Sequence, residues 1–340
     1  MKGMMEMTRR LVDMHCDTIS ELQRAATTDN LFKNHLCVDM EGMKRAGTMV
    51  QFFACFVDGK EYVDGKSAGI SRRQMDSKSW NHAYTAVLDM IKRIRQEESE
   101  GLRLAQNYEE IQENLQKNLI SAIATVEEGG VLNGQTERLA ELYDKGIRLV
   151  TLTWNYENCL GYPNSRDGFI MAQGLKKFGL ETVEQMNTLG MMVDVSHLSD
   201  GGFWDCIRHS KSPIVASHSN ARALCGHPRN LTDEMLRALS EKGGVAGLNF
   251  YPAFLQEKEE LVTVQDIARH AAYMIEAAGE DVPAVGTDFD GFECKGVDGY
   301  ISGPGEMEQV WEAMKRQGIT ERQMDKIWSG NVLRVMKEVL

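Results

Sequence analysis

The sequence has 340 residues, of which 42% are hydrophobic and 26% charged, and it carries a net charge of −12. This composition can form a sizeable core, whereas an acidic surface argues against nucleic acid or an anionic membrane as a partner, because both require a basic patch. The seven cysteines form no Cys-x-x-Cys pair, and no segment has the length of a membrane span or a signal peptide. We therefore expect reduced thiols and a cytoplasmic protein.

A unit recurs along the chain: a helical stretch, a glycine, and a short apolar run that ends in polar or ionisable residues. Examples are MKRAG–TMVQFFACF and LYDKG–IRLVTLTW. Glycine supplies the left-handed conformation that ends many helices, and a nearly continuous apolar run is typical of a strand covered on both faces. In chain order, eight such runs are predicted as strands, at about 11–17, 48–56, 120–128, 147–154, 191–197, 213–219, 244–251 and 283–289.

Helices are predicted between these strands. Four side chains are expected to cap their first turns: Asn107, Ser199, Thr232 and Thr263. Eight strands alternating with helices favour an α/β fold, a closed (β/α)8 TIM barrel of the metal-dependent hydrolase type, with an open doubly wound sheet as the alternative. We expect one domain over residues 1–340, with a polar helical insertion at about 60–117 that holds two helices broken near Gly101.

Ionisable residues cluster at the predicted C-terminal ends of the strands. They are His15, Asp17, Glu127, Glu128, His197, His218, Asp288 and Asp290. In a (β/α)8 barrel these ends open on one face, so residues far apart in the sequence converge there. His15 and Asp17 alternate along one strand and therefore point the same way.

Imidazole and carboxylate groups together suit zinc, and also manganese or iron. There are too many of them for one catalytic ion with an open position, and they match two ions that share a carboxylate. One ion would then be held by His15, Asp17 and a glutamate, and the other by the same glutamate with His197 and His218. Each residue alone could be structural, as an ion pair or a helix cap. Their joint occurrence on one face favours the metal site.

Five motifs occur in a specific order: VDMHCDT, ATVEEGG, VDVSHLS, PIVASHSNARALCGHPRN and AVGTDFDG. Together they resemble the membrane dipeptidase (renal dipeptidase, M19) family of the amidohydrolase superfamily, over nearly the whole chain. The resemblance implies hydrolysis of a small dipeptide by metal-activated water, with two divalent ions, zinc being favoured, and it suggests a homodimer. It places His15 and Asp17 on one ion, His197 and His218 on the other, and Glu127 between them.

The resemblance also implies roles for residues outside the ligand set. Asp288 looks like the acid/base, and Arg229 like the group that grips the substrate carboxylate, a task that suits a planar guanidinium. Tyr251 is a further candidate for substrate contact. Two departures matter: Glu128 competes with Glu127 for the bridging position, and Trp154-Asn155 stand where the mammalian members carry a histidine.

Asn155 is accordingly a candidate for holding the substrate or its oxyanion. The departure at 154–155 leaves room for a related hydrolase that acts on another amide, an N-acyl amino acid or a lactone. A barrel without catalytic activity, used for binding, is the alternative from another class of function.

Overall fold

The computed structural model describes residues 9–25, 28–62, 75–293 and 300–340. Its strands are β1 (Leu11–Asp13), β2 (Thr48–Phe56), β3 (Leu102–Leu104), β4 (Ile120–Glu127), β5 (Ile147–Thr151), β6 (Met192–Asp194), β7 (Val215–Ala216), β8 (Val245–Leu248) and β9 (Pro283–Val285). They pair in parallel in the order β2-β1-β9-β8-β7-β6-β5-β4, and the pairing of β2 with β4 closes the ring. The predicted (β/α)8 barrel is confirmed, and each predicted run contains one of its eight strands.

Strand β3 was not predicted and is the ninth strand of the sheet. It pairs with the first three residues of β4, whereas β5 pairs with Ala124 and the residues after it. Leu102 and Leu104 are buried and Arg103 between them is exposed, which is the alternation of a half-buried strand. Three residues are too few for this alternation to stand out in the sequence. The break expected near Gly101 is therefore a short strand rather than a simple turn.

The helices are α1 (Thr18–Arg24), α2 (Met40–Ala46), α3 (Ser77–Gln96), α4 (Tyr108–Gln116), α5 (Thr136–Asp144), α6 (Gly168–Met171), α7 (Lys177–Leu189), α8 (Asp200–His209), α9 (Asp233–Glu241), α10 (Val264–Ala278), α11 (Met307–Arg316), α12 (Glu321–Asp325) and α13 (Asn331–Val339). A π-helical turn, Lys326–Gly330, joins the last two. The two helices expected in the insertion are α3 and α4; residues 63–74 of that segment lie outside the described ranges.

The predicted helix caps are confirmed. In each case the side-chain oxygen accepts a hydrogen bond from a backbone N–H in the first helical turn, at Asn107, Ser199, Thr232 and Thr263. Such bonds satisfy amides that have no partner inside the helix. Among the described residues, no helix combines the length and the apolar character that crossing a bilayer requires.

The core has two parts because alternate strand residues face opposite ways. In β2, Phe52 belongs to the interior of the barrel and Phe53 to the layer between strands and helices. The interior cluster also contains Met192 and Val245, the first residues of their strands, together with Val332 of α13. Helix α13 therefore closes the N-terminal end of the barrel, and the opposite end is left for a site.

Candidate metal centre

His15 and Asp17 follow β1 and lie at the C-terminal end of the barrel. The Asp17 amide donates to the Phe289 carbonyl (2.9 Å), so the loops after β1 and β9 are joined here. The His15 side chain is buried, with Nε2 3.4 Å from Asp17 Oδ2 and 3.3 Å from Glu127 Oε2. The pair predicted from one strand end thus points at a carboxylate from β4.

Glu127, the last residue of β4, lies at the middle of the cluster. Its Oε1 is 3.1 Å from His197 Nε2 and 3.6 Å from His218 Nε2, while its Oε2 faces His15. Potential ligand atoms lie within 4.8 Å of one another in three groups: His15, Asp17 and Glu127; Glu127, His197 and His218; and His15, His218 and Asp288. The first two groups are the two predicted ligand sets, and Glu127 belongs to both.

The neighbouring Glu128 points away from this cluster. Its carboxylate accepts hydrogen bonds from the backbone amides of Gly130 (2.8 Å) and Trp154 (3.2 Å), and from the side chain of Asn158 (2.6 Å). Burial raises the pKa of Glu128 to about 7. Adjacent residues at a strand end face opposite ways. Glu127 therefore faces the candidate metal cluster, whereas Glu128 binds the loop after β5.

Two side chains of the cluster are carried by backbone in the left-handed region. The φ angles are 65° at His197 and 63° at Asp288. This conformation is uncommon and unfavourable for residues with a side chain, and it concentrates at functional sites. Asp288 is further held by Asn249, whose Nδ2 donates to its Oδ2 (2.9 Å). Both side chains are thereby directed at the space between the strand ends.

Burial and crowding shift the ionisation of these groups. Burial, with the charge of Glu127, raises the pKa of Asp17 to about 7, and burial raises that of Asp288 to about 6. Burial lowers the pKa of His197 to about 4. Burial also opposes the charge on Glu127, but His15 and the hydrogen bonds outweigh it and hold its pKa well below the usual range. A bound cation would stabilise so many carboxylates in so little space.

The residues of the cluster fit a metal ion. The Nδ1 atom of His15 and the Oδ1 atom of Asp17 are buried and have no hydrogen-bond partner, and His15 Nε2 is surrounded by carboxylate oxygens at 3.3–3.8 Å. Buried polar atoms are nearly always paired, so unpaired ones call for an unseen partner. Three imidazoles with carboxylates are the donors that zinc, manganese or iron accept.

Arg229 lies beside the second ligand set. Its guanidinium donates to Ser219 Oγ and to the His218 carbonyl, both at 3.2 Å, and its buried Nε has no hydrogen-bond partner. Burial lowers the pKa of Arg229 to about 10. The segment before it is held by Arg222, which forms a bidentate ion pair with Asp200 at 2.7 Å. Arg229 is therefore a fixed cation next to the cluster.

A cavity of about 680 Å³ opens onto the cluster. Its walls include Asp17, Glu127, His197, Asp288, Asn155, Trp154, Phe56, Tyr251, Phe254 and Phe292. Two aromatic groups contribute: Trp154 packs on Phe56 (4.8 Å between ring centroids), and Tyr251 on Phe254 (4.9 Å). The cavity has the size of a small-molecule site.

Asn155, predicted as a substrate contact, also bonds to the cluster, since its Oδ1 is 3.1 Å from His197 Nδ1. Other residues that brace the cluster were not predicted from the sequence, among them Asp194, Ser217 and Asn249. They are common polar residues next to predicted ligands. The buried aspartate at the end of an apolar strand, in MMVDVSH, was the one available signal.

The profile of the membrane dipeptidase family (peptidase family M19) matches residues 3–340. The chain belongs to this family. Membership makes it a hydrolase of peptide bonds and confirms the predicted resemblance. A protein in the pqqA 5′ region of Klebsiella pneumoniae is 34% identical over 74% of this chain and 94% of its own length. An uncharacterised dipeptidase of Schizosaccharomyces pombe is 30% identical over 97% of this chain and 80% of its own length.

Solved structures share the fold. A metallopeptidase from Rhodobacter sphaeroides, liganded with a phosphinate mimic of the dipeptide L-Ala-D-Ala, superposes with a TM-score of 0.84 at 23% identity. The alignment covers 98% of this chain and all of that one. The dipeptidase AC, a metallopeptidase of family M19, gives a TM-score of 0.83 at 24% identity, over 98% of this chain and 99% of its own. The barrel described above is thus the barrel of M19 structures.

Proposed function

We propose that the chain is a dinuclear metallo-dipeptidase, with Glu127 bridging two divalent ions, zinc being favoured. The observation that carries this proposal is the membership of Glu127 in both ligand groups. His15 and Asp17 would hold one ion, and His197 and His218 the other. When bound, such ions lower the pKa of a water molecule and polarise the scissile carbonyl.

The remaining residues bind the substrate and move protons. Asp288 accepts the proton of the attacking water and passes it to the leaving amine; its carboxylate lies at the cluster, with Oδ1 3.8 Å from His15 Nε2. Arg229 binds the free carboxylate of the dipeptide, because its Nε is an unused donor in a buried place. Asn155, Tyr251 and the aromatic walls contact the rest of the substrate.

A related hydrolase that acts on an N-acyl amino acid or a lactone is the second candidate. The observation in its favour is the pair Trp154-Asn155, which stands where the mammalian members carry a histidine, with Asn155 bonded to His197. The dipeptide reading is supported by the family match and by the buried arginine. The phosphinate mimic of L-Ala-D-Ala bound to the Rhodobacter sphaeroides relative supports including L-D dipeptides among the substrates tested.

The test compares substrates that differ only at the C-terminal carboxylate. Zinc-reconstituted protein is assayed on L-L and L-D dipeptides, on the matching dipeptide amides, on N-acyl amino acids and on lactones, with His218→Ala as the inactive control. We expect dipeptides to be the best substrates. Arg229→Ala should lower kcat/KM for dipeptides about 10- to 100-fold, the effect of roughly 1.5–3 kcal/mol from charged hydrogen bonds, and leave the amides nearly unchanged. An equal loss on both substrates would refute the carboxylate role, and faster turnover of lactones would favour the second candidate.

A further inference from the structure

A buried aspartate ends β6 without belonging to the ligand set. Asp194 is fully buried, and its Oδ1 accepts from the backbone amides of Ser196 (3.0 Å) and Ser217 (2.8 Å). Its Oδ2 accepts from the hydroxyls of Thr151 and Ser217, both at 2.6 Å. Four donors converge on this side chain, and an ionised carboxylate, which only accepts, satisfies all of them.

Ser217 lies between this carboxylate and a predicted metal ligand. Its Oγ is 2.6 Å from Asp194 Oδ2 and 2.7 Å from His218 Nδ1. A hydroxyl has one hydrogen to donate, and the shortest bond to a charged acceptor takes it. The oxygen of Ser217 is then left as an acceptor, so His218 must carry its proton on Nδ1. The lone pair of His218 Nε2 consequently faces Glu127 and His197.

The geometry points to Asp194 and Ser217 as positioning residues that select the metal-binding tautomer of His218. The inference rests on the proposed metal centre and adds two residues to it. A partner on the far ring nitrogen is what fixes the tautomer and orientation of a ligating imidazole. Ser196 is the other neighbour of the Ser217 hydroxyl, at 3.3 Å, and this longer contact to a neutral acceptor does not compete with the carboxylate.

The same arrangement occurs at the other imidazole of this ligand set. Asn155 Oδ1 is 3.1 Å from His197 Nδ1, and an amide oxygen can only accept. Both rings are thereby directed to present Nε2, and the two Nε2 atoms lie 3.0 Å apart. Two neutral rings with facing lone pairs at this distance are compatible with a cation bound between them.

Asp194→Asn tests the inference with a side chain of the same shape. The amide oxygen keeps the two backbone amides, so the NH2 group faces Ser217 and Thr151. Ser217 then accepts from the amide and donates to His218 Nδ1, which moves the ring proton to Nε2, as the corresponding change does in a catalytic triad. We expect ¹⁵N-histidine NMR of the metal-free protein to show His218 changing tautomer, its signals being assigned by their loss in His218→Gln. Affinity for Co²⁺ should fall about 10- to 100-fold.

Asp13→Asn is the matched control, because Asp13 is also a buried strand-end carboxylate. It accepts from the backbone amides of His15 (3.3 Å) and Thr287 (2.9 Å) and from the Thr287 hydroxyl (2.7 Å). This variant should lose stability and leave the tautomer of His218 as it is. Ser217→Ala should weaken Co²⁺ binding, and Ser217→Thr, which keeps a hydroxyl, should restore it; this pair carries the test if Asp194→Asn does not fold.

An unchanged His218 tautomer or unchanged Co²⁺ affinity in Asp194→Asn overturns the inference, as does the same change of the His218 tautomer in Asp13→Asn. The tautomer is read in metal-free protein, so it is independent of the proposed activity. A wild-type chain with the expected tautomer that binds no Co²⁺ would refute the metal centre, whereas a metal-binding dipeptidase with an insensitive tautomer would refute only the roles of Asp194 and Ser217.

Discussion

The two ligand sets of the proposed metal centre are held in different ways. In the set of His197 and His218, each ring has an acceptor on its Nδ1 atom, Asn155 in one case and Ser217 in the other. In the set of His15 and Asp17, the Nδ1 atom of the imidazole has no hydrogen-bond partner, and its Nε2 atom faces only the carboxylates of the cluster, at 3.3–3.8 Å. One half is arranged by the protein in advance, and the other leaves its polar atoms for the ion.

The half whose imidazole has no acceptor on Nδ1 is positioned by packing and by backbone hydrogen bonds. The His15 ring lies against the His218 ring, with 3.9 Å between centroids, and the His15 carbonyl accepts from the Asp288 amide at 3.1 Å. Its orientation therefore depends on its neighbours in the other half. Glu127 is the carboxylate that both sets share, so both halves depend on it although they are held differently.

The largest effect is expected from Glu127→Gln, which removes charge from both sets at once. Dipeptidase activity should fall on the order of 10³-fold, as for other losses of a preorganised electrostatic element. The zinc content, measured by elemental analysis, should drop from about two ions per chain to one or fewer. Full zinc content with full activity in this variant would refute the bridging role.

The control for Glu127→Gln is the same substitution at the neighbouring residue, Glu128→Gln. The carboxylate of Glu128 binds Gly130, Trp154 and Asn158, so this variant should lose about 1–3 kcal/mol of unfolding free energy through an unsatisfied buried group. Zinc content should stay as in the wild type. The reverse outcome, loss of zinc in Glu128→Gln alone, would exchange the roles of the two glutamates.

A smaller effect, a difference between the affinities of the two ions, tests the contrast between the two halves. Metal removal by a chromophoric chelator should proceed in two steps, with affinities that differ about 10- to 100-fold, the usual effect of a hydrogen-bonded partner on a ligating imidazole. The weaker ion is the one at His15 and Asp17. Asn155→Ala, which deprives His197 of its partner, should bring the two steps closer together, and release of both wild-type ions in one step would contradict the prediction.

An effect on stability alone, without any effect on metal binding, is expected from a buried histidine outside the metal centre. His270 Nδ1 accepts from the Ala221 amide (3.1 Å), and its Nε2 is 2.9 Å from the Leu255 carbonyl, so the protein satisfies both nitrogens. Burial lowers the pKa of His270 to about 4. The unfolded chain binds a proton at this histidine near pH 6.5, whereas the folded protein binds one only near pH 4. The contribution of neutral His270 to the free energy of unfolding is therefore complete above pH 6.5 and is lost as the pH falls towards 4.

The measurement is urea unfolding of chelated protein at several pH values. Between pH 6.5 and 4, the wild type should lose on the order of 3 kcal/mol more than His270→Gln, because glutamine does not titrate. His209→Gln, at an exposed position, should keep the wild-type slope. If the unfolding free energies of the wild type and His270→Gln changed with pH in parallel, the prediction would be contradicted.

The sequence was sufficient to predict the barrel and the cluster of histidines and carboxylates at one end of it. Apolar runs that end in His15, Glu127 and His218 carry a strong local signal, because burial dictates the run and chemistry dictates its last residues. A parallel barrel then brings those ends together, whatever the loops do. Strand β3 escaped because a Leu-Arg-Leu alternation is too short to be distinguished from a loop.

The bracing residues could not be predicted because their roles depend on side-chain directions across strands. Ser217 reaches Asp194 only through the register of β6 and β7, and Asn155 reaches His197 across a loop. The sequence favoured Glu127 over Glu128 because Glu127 comes first after the apolar run, but the hydrogen-bond partners of Glu128 required coordinates. Hydrogen-bond partners of this kind leave no periodic pattern in a single sequence.

The contact between Arg229 and the His218 carbonyl has a consequence for the position of the cleaved bond. With the proposed roles, the residue that binds the substrate carboxylate is bonded to the backbone of a residue that holds an ion. The span between the two then works as a fixed gauge, which selects the peptide bond next to the C-terminal residue and ignores the side chains. Changes in the surrounding loops can alter which dipeptides are cleaved without moving that bond.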